Sequence, residues 1–347
     1  MVEPIRAYEK YVRVLTDRIA PATPVDEVDL ELDRLSAEVI DLALQRIANK
    51  EAPLVEEDAT KEPVASPVSD ETVEEVLAEL HSLVGLEEIK THVDSLVNLL
   101  KIQEQRKAHG LSTVEIGLHA LLVGNPGTGK TTVARLLGRL YKAVGRLSKG
   151  HLVEVDRGGL VGGFVGQTAI KTTEVLESAR GGVLFLDEAY SLVPEGGSGN
   201  DFGQEAITTI LKFMEDNRED FVFVGAGYPI EMERFINSNS GFASRFNEII
   251  DFPDYEAEEL GKIFYNLCER YDFTLSPGAR QKVTADLLWF TQNKNRNFAN
   301  GRLIRKYFEA MVQNHADRLS KLKVAPTKNQ LIRINLKDMP TKVEALL

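Results

Sequence analysis

The sequence predicts an α/β protein: a parallel sheet flanked by helices, a phosphate-binding loop after the first strand, a small α-helical lid behind, and a short acidic helical segment in front. Three observations predict it. Short apolar runs alternate with amphipathic stretches between residues 119 and 228, the pattern of strands joined through helices that cover both faces of a parallel sheet. A complete phosphate-loop motif falls between the first run and the stretch after it. Beyond residue 255 the strand-like runs stop and helical periodicity takes over.

Taken in order, residues 4–20 and 26–50 read as two helices broken by "PATP", with Val28, Leu32, Leu35, Val39 and Leu42 at three-four spacing. Residues 51–70 are rich in Pro, Glu and Ala and poor in aromatics, the composition of a solvated linker. From Asp70 the pattern is helical, interrupted at Gly85. "HALLVG", "HLVEVD", "GVLFLDEAY" and "FVFVGAGYP" are strands; "KTTVARLLGRLYKAVG", "AIKTTEVLESAR" and "GQEAITTILKFMEDN" are the helices between them. Residues 256–320 read as helices, one starting at Ser276 and Pro277, and in the following tail "LIRINL" is open as a strand. The expected divisions are therefore an N-terminal segment 1–50, a linker 51–70, a nucleotide-binding core 71–254, a lid 255–322 and a tail 323–347.

Composition narrows the class. The 347 residues are 43% hydrophobic and 27% charged, with no apolar run near the ~18 residues that cross a bilayer. The first twenty residues mix acids and bases without an apolar core, so neither a secretory nor a transit peptide is expected, and a cytoplasmic location is. The single cysteine, Cys268, excludes an internal disulfide and sits in a helical context that suits a buried thiol. Six histidines form no HxxxH or HExxH spacing, so metal binding by side chains alone is not expected. Residues 1–80 hold 20 Asp and Glu against 8 Lys and Arg, and the remainder is balanced at 33 against 33. The whole net charge of −12 thus lies at the N-terminal end, and with no dense basic block in the body a nucleic-acid partner is not expected.

The chemistry begins at "GNPGTGKTT", which fits G-x-x-x-x-G-K-[ST] in full between a strand and a helix. Asn125, Pro126, Gly127, Thr128 and Gly129 form a loop whose N–H groups curl around phosphate. Lys130 reaches the terminal phosphates, and Thr131, with Thr132 beside it, offers a hydroxyl to Mg²⁺. About 57 residues on, "GGVLFLDEAY" places Asp187 at the end of a buried strand, where it joins the Mg²⁺ shell, and Glu188 next to it polarises an attacking water. No N-K-x-D motif reads guanine: the one Asn-Lys pair, in "NKNR" at 293–296, lacks the Asp, so ATP is the expected nucleotide. Charge building on the γ-phosphate calls for arginine. Arg245 in "GFASRFNEIIDFPDY" is placed to face a neighbouring subunit, and Arg302 in "FANGRLIR" to fold back from the lid over its own nucleotide. In "LVGGFVGQTA", Phe164 is one large aromatic among glycines, an arrangement that does not fill a core.

With these pieces in order, the chain resembles the AAA+ ATPases, and more closely the family of CbbX-type rubisco activases, SpoVK sporulation proteins and EccA type VII secretion ATPases. The marks are "VGLEEIK", "GNPGTGKTT", "GHLVEVDRGGLVGGFVGQTAIKT", "GGVLFLDEAYSL", "DFGQEAI", "MEDNRED", "AGYP", "SRF", "DFPDY" and "FANGRLIR", covering about residues 80–320. The resemblance implies a ring, commonly a hexamer, with ATP at subunit interfaces, and adds Val84 and Gly85 of "VGLEEIK" to the nucleotide contacts. It also implies that Phe164, Val165 and Gly166 form a pore loop in which Phe164 grips a substrate polypeptide. The chain departs from the family where Ala243 stands in place of an arginine commonly found in Gly-Phe/Leu-Arg-Ser-Arg, and residues 1–70 match neither the short leader of the CbbX type nor the helical repeats of EccA. Tyr228 occupies the place of the polar Asn of many AAA+ sensor strands, in keeping with this family's own "AGY". The leading expectation is an ATP-hydrolysing ring motor that remodels a partner protein, rubisco being one candidate. The alternative is an ATP-dependent assembly scaffold, or a secretion- or sporulation-type ATPase, whose partner is recruited by the N-terminal segment.

Overall fold

The structure is a computed structural model describing residues 71–347, apart from 115, 165, 194–201, 239–240, 242–244 and 247. The expected helices over 4–20 and 26–50, the linker 51–70, Val165 and Ala243 lie outside the described residues. What is described belongs to one compact unit.

Two helices, α1 (Val73–Ser82) and α2 (Glu87–Ala108), precede the sheet. Thr72 and Glu75 form a capping box at the start of α1, each satisfying a backbone N–H that the first turn leaves open. The break expected at Gly85 is present: Gly85 and Leu86 both adopt left-handed backbone, at φ 64° and 62°, which turns the chain from one helix into the next. The core then alternates as β1 (Ala120–Gly124), α3 (Lys130–Ala143), β2 (Leu152–Val155), α4 (Arg157–Leu160), α5 (Gln167–Ser178), β3 (Val183–Leu186), α6 (Gly203–Asp216), β4 (Val222–Gly227), α7 (Pro229–Asn237) and β5 (Glu248–Phe252). All five strands are parallel in the order β2-β3-β4-β1-β5. Ala120 pairs with Val224 on one side and Glu248 on the other, so β1 is an interior strand, one in from the edge strand β5.

Alternation along the strands builds two cores. Ala120 and Leu122 of β1 join Val183 and Phe185 of β3 in a cluster with α1, α2 and α3. Leu121, Val123, Leu184 and Leu186 face the other way, against α5, α6 and α7. Each face of the sheet thus buries every second residue, which is why these strands read as continuous apolar runs.

The lid comprises α8 (Ala257–Arg270), α9 (Pro277–Gln292) and α10 (Asn300–Ser320). Ser276 caps α9 with its side chain and Pro277 occupies the first turn, as expected from the sequence. Cys268 is buried in α8 at 3% exposure, and burial pushes its thiol up to about 12. A two-residue strand β6 (Thr274–Leu275) pairs in parallel with β7 (Arg333–Ile334), which follows the short α11 (Lys328–Ile332). β6 was not expected from the sequence, whereas β7 falls within "LIRINL", the stretch open as a strand. These strands are too short to show a period, and the pairing is fixed by burial of Leu275 and Ile334 in the core. Beyond β7 the chain packs back onto the lid. Met339 and Val343 are buried, and the fully buried Asp338 accepts hydrogen bonds from Arg318 Nε at 2.6 Å and Nη2 at 2.9 Å.

Candidate functional site

A cavity of about 740 Å³ opens at the C-terminal ends of the strands, between sheet and lid, the size of a nucleotide-binding cleft. This is where the first crossover leaves an interior strand of a parallel sheet and where such sheets bind ligands. The turn from β1 into α3 forms the floor. Gly127 and Gly129 hold φ of 74° and 100°, and a Cβ on Gly127 would stand 2.4 Å from the carbonyl oxygen of Ala299. Only glycine allows both the curl and the close approach of the lid. α3 starts at Lys130, so its unpaired N–H groups and the positive end of its dipole face the cavity. Lys130 Nζ donates to the carbonyls of Gly124 and Asn125, each at 2.8 Å. Burial lowers its pKa to about 8, with Asp187 opposing the shift and Arg302 adding to it. A phosphate in the loop would supply the negative charge that two neutral carbonyls do not.

β3 ends by delivering Asp187 and Glu188 to the same cavity. The Glu188 N–H donates to Asp187 Oδ1 at 3.0 Å, and Glu188 has left-handed backbone at φ 48°, a conformation a non-glycine residue holds only when its surroundings fix it. Its carboxylate is exposed to the cavity while Asp187 is half-buried. Thr131 lines the cavity with Asp187. One hydroxyl and one carboxylate is the donor set that suits Mg²⁺, which keeps waters and takes its remaining oxygens from phosphate. Among the described residues no group of three or more His, Cys, Asp or Glu is placed to hold a metal. Tyr228, after β4, lies beside Tyr190 with ring centroids 5.9 Å apart. Burial, and then the nearby Glu188 carboxylate, raise the pKa of the Tyr228 phenol.

The lid closes the cleft with Arg302, near the start of α10. Asn300 fixes that start. It is fully buried at φ 45°, accepts the Tyr255 N–H at 2.9 Å, and donates to Asp254 Oδ1 at 2.7 Å and to the Phe298 carbonyl at 2.9 Å. Gly301 donates its N–H to the Gly127 carbonyl at 3.0 Å, joining lid to phosphate loop directly.

The cavity therefore gathers Val84, Pro126, Gly127, Gly129, Lys130, Thr131, Thr132, Asp187, Glu188 and Arg302. Three other expected contacts brace it from behind. Asn125 Nδ2 donates to Asp254 Oδ1 at 3.0 Å. Thr128 is buried, and its hydroxyl donates to the Asn125 carbonyl at 2.8 Å. A Cβ on Gly85 would meet Glu259 Oε1 at 2.2 Å. Phe164 is 73% exposed and, with Gly166, stands outside the cleft. Arg245 directly follows the undescribed residues 242–244 and stands three residues before β5, at the N-terminal end of the sheet. A five-residue strand spans ~17 Å, so Arg245 does not reach its own chain's phosphate loop. Its guanidinium donates instead to Glu215 Oε2 at 3.3 Å and the Gly241 carbonyl at 3.1 Å. Residue motifs alone did not single out the apolar wall of the cleft, Leu83, Leu86, Tyr255, Ile263 and Leu267. Its signals were Leu86 in "VGLEEIK" and Tyr255 in "DFPDY", whose hydroxyl donates to the Thr128 carbonyl at 3.1 Å.

A phosphate loop at the switch point of a parallel sheet, an acidic pair one strand over and an arginine brought in by a helical lid define a nucleotide-hydrolysing P-loop protein. Residues 120–254 match the ATPase family associated with various cellular activities (AAA), and residues 256–346 match the AAA lid domain. The chain is 39% identical over 274 residues to stage V sporulation protein K of Bacillus subtilis, covering 79% of this chain and 84% of that protein. It is 43% identical over 246 residues to protein CbbX of Cereibacter sphaeroides, covering 71% and 79%. It is 39% identical over 275 residues to the chloroplastic ribulose bisphosphate carboxylase/oxygenase activase of Cyanidioschyzon merolae, covering 77% and 91%. The FIGL-1 AAA domain shares the fold at a TM-score of 0.53 and 17% identity, over 76% of this chain and 82% of that one. The chain belongs to the AAA ATPases, in the group that holds CbbX and stage V sporulation protein K, and it is an ATPase.

Proposed function

We propose that this ATPase is a ring-forming motor, commonly a hexamer in proteins of this kind, that couples ATP hydrolysis to the remodelling of a partner protein drawn through its centre. The observation that carries the reading is Phe164: a large aromatic 73% exposed on a loop with Gly163 before it, where a Cβ would meet nothing within 4 Å. Such a side chain loses apolar surface to water unless something else covers it, and an aromatic grips polypeptide with little regard to sequence.

In this reading the phosphate loop and the N-terminus of α3 hold the β- and γ-phosphates, with Lys130 as point charge. Thr131 and Asp187 hold Mg²⁺, which neutralises phosphate charge when bound. The strained backbone of Glu188 directs its carboxylate into the cleft, where it orients and deprotonates the attacking water. Arg302 meets the γ-phosphate from the same chain's lid. Arg245, out of reach of its own cleft, meets that of a neighbour. The likeness to a rubisco activase supports an inhibited rubisco as one candidate substrate.

Steady-state hydrolysis against protein concentration tests the assembly. Turnover per chain is expected to rise cooperatively and to fall by ~10³ or more in Arg245→Ala, with Glu188→Gln as the inactive control. Turnover flat with concentration and indifferent to Arg245 would overturn the ring and leave a nucleotide-dependent scaffold. Phe164→Ala is expected to keep ATP turnover and lose substrate processing.

A further inference from the structure

Between β2 and α5 the chain is laced to itself. Lys171 Nζ, on α5, donates to the carbonyls of Gly158 at 2.6 Å and Val161 at 3.4 Å, and the Thr172 hydroxyl donates to that of Leu160 at 3.1 Å. The Gly162 N–H donates to the Thr168 hydroxyl at 3.0 Å. Thr168, Lys171 and Thr172 stand three and four positions apart, so they share one helix face, and that face holds α4 and the two residues after it. A Cβ on Gly162 would lie 2.6 Å from Gln167 Cβ, a closeness only glycine permits. Beyond Gly162 the lacing stops. A Cβ on Gly163 or Gly166 would meet nothing within 4 Å, Gly166 holds φ 81°, and Phe164 between them is exposed. The chain is taken up again where the Gln167 N–H donates to the Phe164 carbonyl at 3.2 Å. The loop that bears Phe164 is therefore short, with both ends fastened to α5.

The other end of α4 is fastened to the turn after β3. Arg157, the first residue of α4, donates from Nη1 to the Ser191 carbonyl at 2.5 Å, and the Ser191 N–H donates to the Glu188 carbonyl at 2.8 Å. The Asp187 N–H donates to the Val155 carbonyl at 2.9 Å. The segment that carries Asp187 and Glu188 is thus bonded at two points to residues 155–157. Asp156 stiffens the join, since its Oδ1 caps α4 by accepting the Gly159 N–H at 3.0 Å. Neither Arg157 nor Lys171 lines the nucleotide cleft, so what they offer is a bonded route from its acidic pair to an exposed loop, and coupling between distant sites is carried by contiguous networks of this sort. Within the α4–α5 lacing, the bonds from Lys171 are made by an ion, which makes them stronger than the neutral ones beside them.

We propose that Lys171 is a positioning residue for the Phe164 loop: it locks α5 to α4, Arg157 locks α4 to the turn after Glu188, and the nucleotide state sensed at Glu188 is passed along this series to Phe164. This rests on the reading that Phe164 grips a substrate polypeptide.

A spin label reads the loop directly. In full-length Phe164→Cys a nitroxide attaches at position 164 alone, because Cys268, the one native cysteine, is buried at 3% exposure. Label mobility is expected to differ between ADP and a non-hydrolysable ATP analogue. Adding Lys171→Met to that chain is expected to abolish the difference while the affinity for both nucleotides stays unchanged, an outcome that a general loss of fold does not give. Lys171→Arg, which keeps a cationic donor for the same carbonyls, should preserve the difference, and Arg157→Gln should abolish it. A difference that survives in Lys171→Met, or is lost in Lys171→Arg as well, overturns the proposal and leaves the motor reading standing. One that survives in Arg157→Gln overturns the link to Glu188. A label that behaves alike with both nucleotides in the parent chain overturns the motor reading, and the proposal with it.

Discussion

His119 shows how a single buried group ties stability to pH. Its Nδ1 accepts the Phe223 N–H at 3.0 Å, extending the β1–β4 ladder by one bond ahead of its first paired residues. Burial lowers its pKa from 6.5 to about 4, and Arg218 and Arg245 push the same way. The folded protein therefore prefers neutral imidazole, while the unfolded chain takes up a proton below pH 6.5. The stabilisation is complete above that value and is lost as pH falls toward 4, by up to about 3 kcal/mol. Urea unfolding of wild type should show this loss across that window, and His119→Gln should flatten it. Asn300 is the second such residue. Asn300→Ala strands the buried Tyr255 N–H and places alanine at φ 45°, costing about 2–3 kcal/mol. A lower urea midpoint together with weaker ATP binding by calorimetry is expected, since the same side chain anchors the lid helix that carries Arg302.

At the scale of elements, the join between the phosphate loop and α10 is the feature most exposed to substitution. Gly127→Ala would drive a methyl group into the Ala299 carbonyl and disfavour φ 74°. ATP affinity should fall by at least tenfold in equilibrium titration with little change in helix content, whereas unchanged affinity would show that the lid moves aside at no cost. The segment beyond β7 is fastened in another way. Burial alone would raise the Asp338 carboxyl, yet hydrogen bonds from Arg318, the Asn335 N–H and His315 hold it below its usual value. Asp338→Ala leaves Arg318 without its counter-charge at a cost of about 3 kcal/mol, and a Tm lower by about 5 °C in calorimetry is expected. These elements also mark what the sequence revealed. β1, β3 and β4 were legible because they are buried on both faces, whereas β5, with only Ile250 and Phe252 buried, was not singled out. The phosphate loop was legible because its glycines and lysine stand at fixed spacing. The role of Asn300 was not, because its partners Asp254 and Tyr255 lie about 45 positions away and nothing local reports a bond that distant. The Glu215–Arg245 contact was hidden for the same reason, and β6 was hidden because two residues carry no period, whereas β7 falls in "LIRINL", which was open as a strand.

For the molecule as a whole, the lid, the cleft and the far end of the sheet form one mechanical series. No helix among the described residues is long and apolar enough to cross a membrane, and the groups that handle phosphate lie at opposite ends of five parallel strands. In the proposed ring, cleft residues would answer to this chain's own nucleotide and Arg245 at the other end to a neighbour's. The Gly301–Gly127 hydrogen bond gives this arrangement a further property. Because the loop that grips phosphate and the helix that closes over it are bonded to each other, lid angle and nucleotide affinity are one thermodynamic variable. Coupling of that kind is reciprocal. If bound ATP tilts the lid, then in the motor proposed above a substrate load that tilts the lid back must loosen ATP by the same free energy, and the affinity for fuel would report the load.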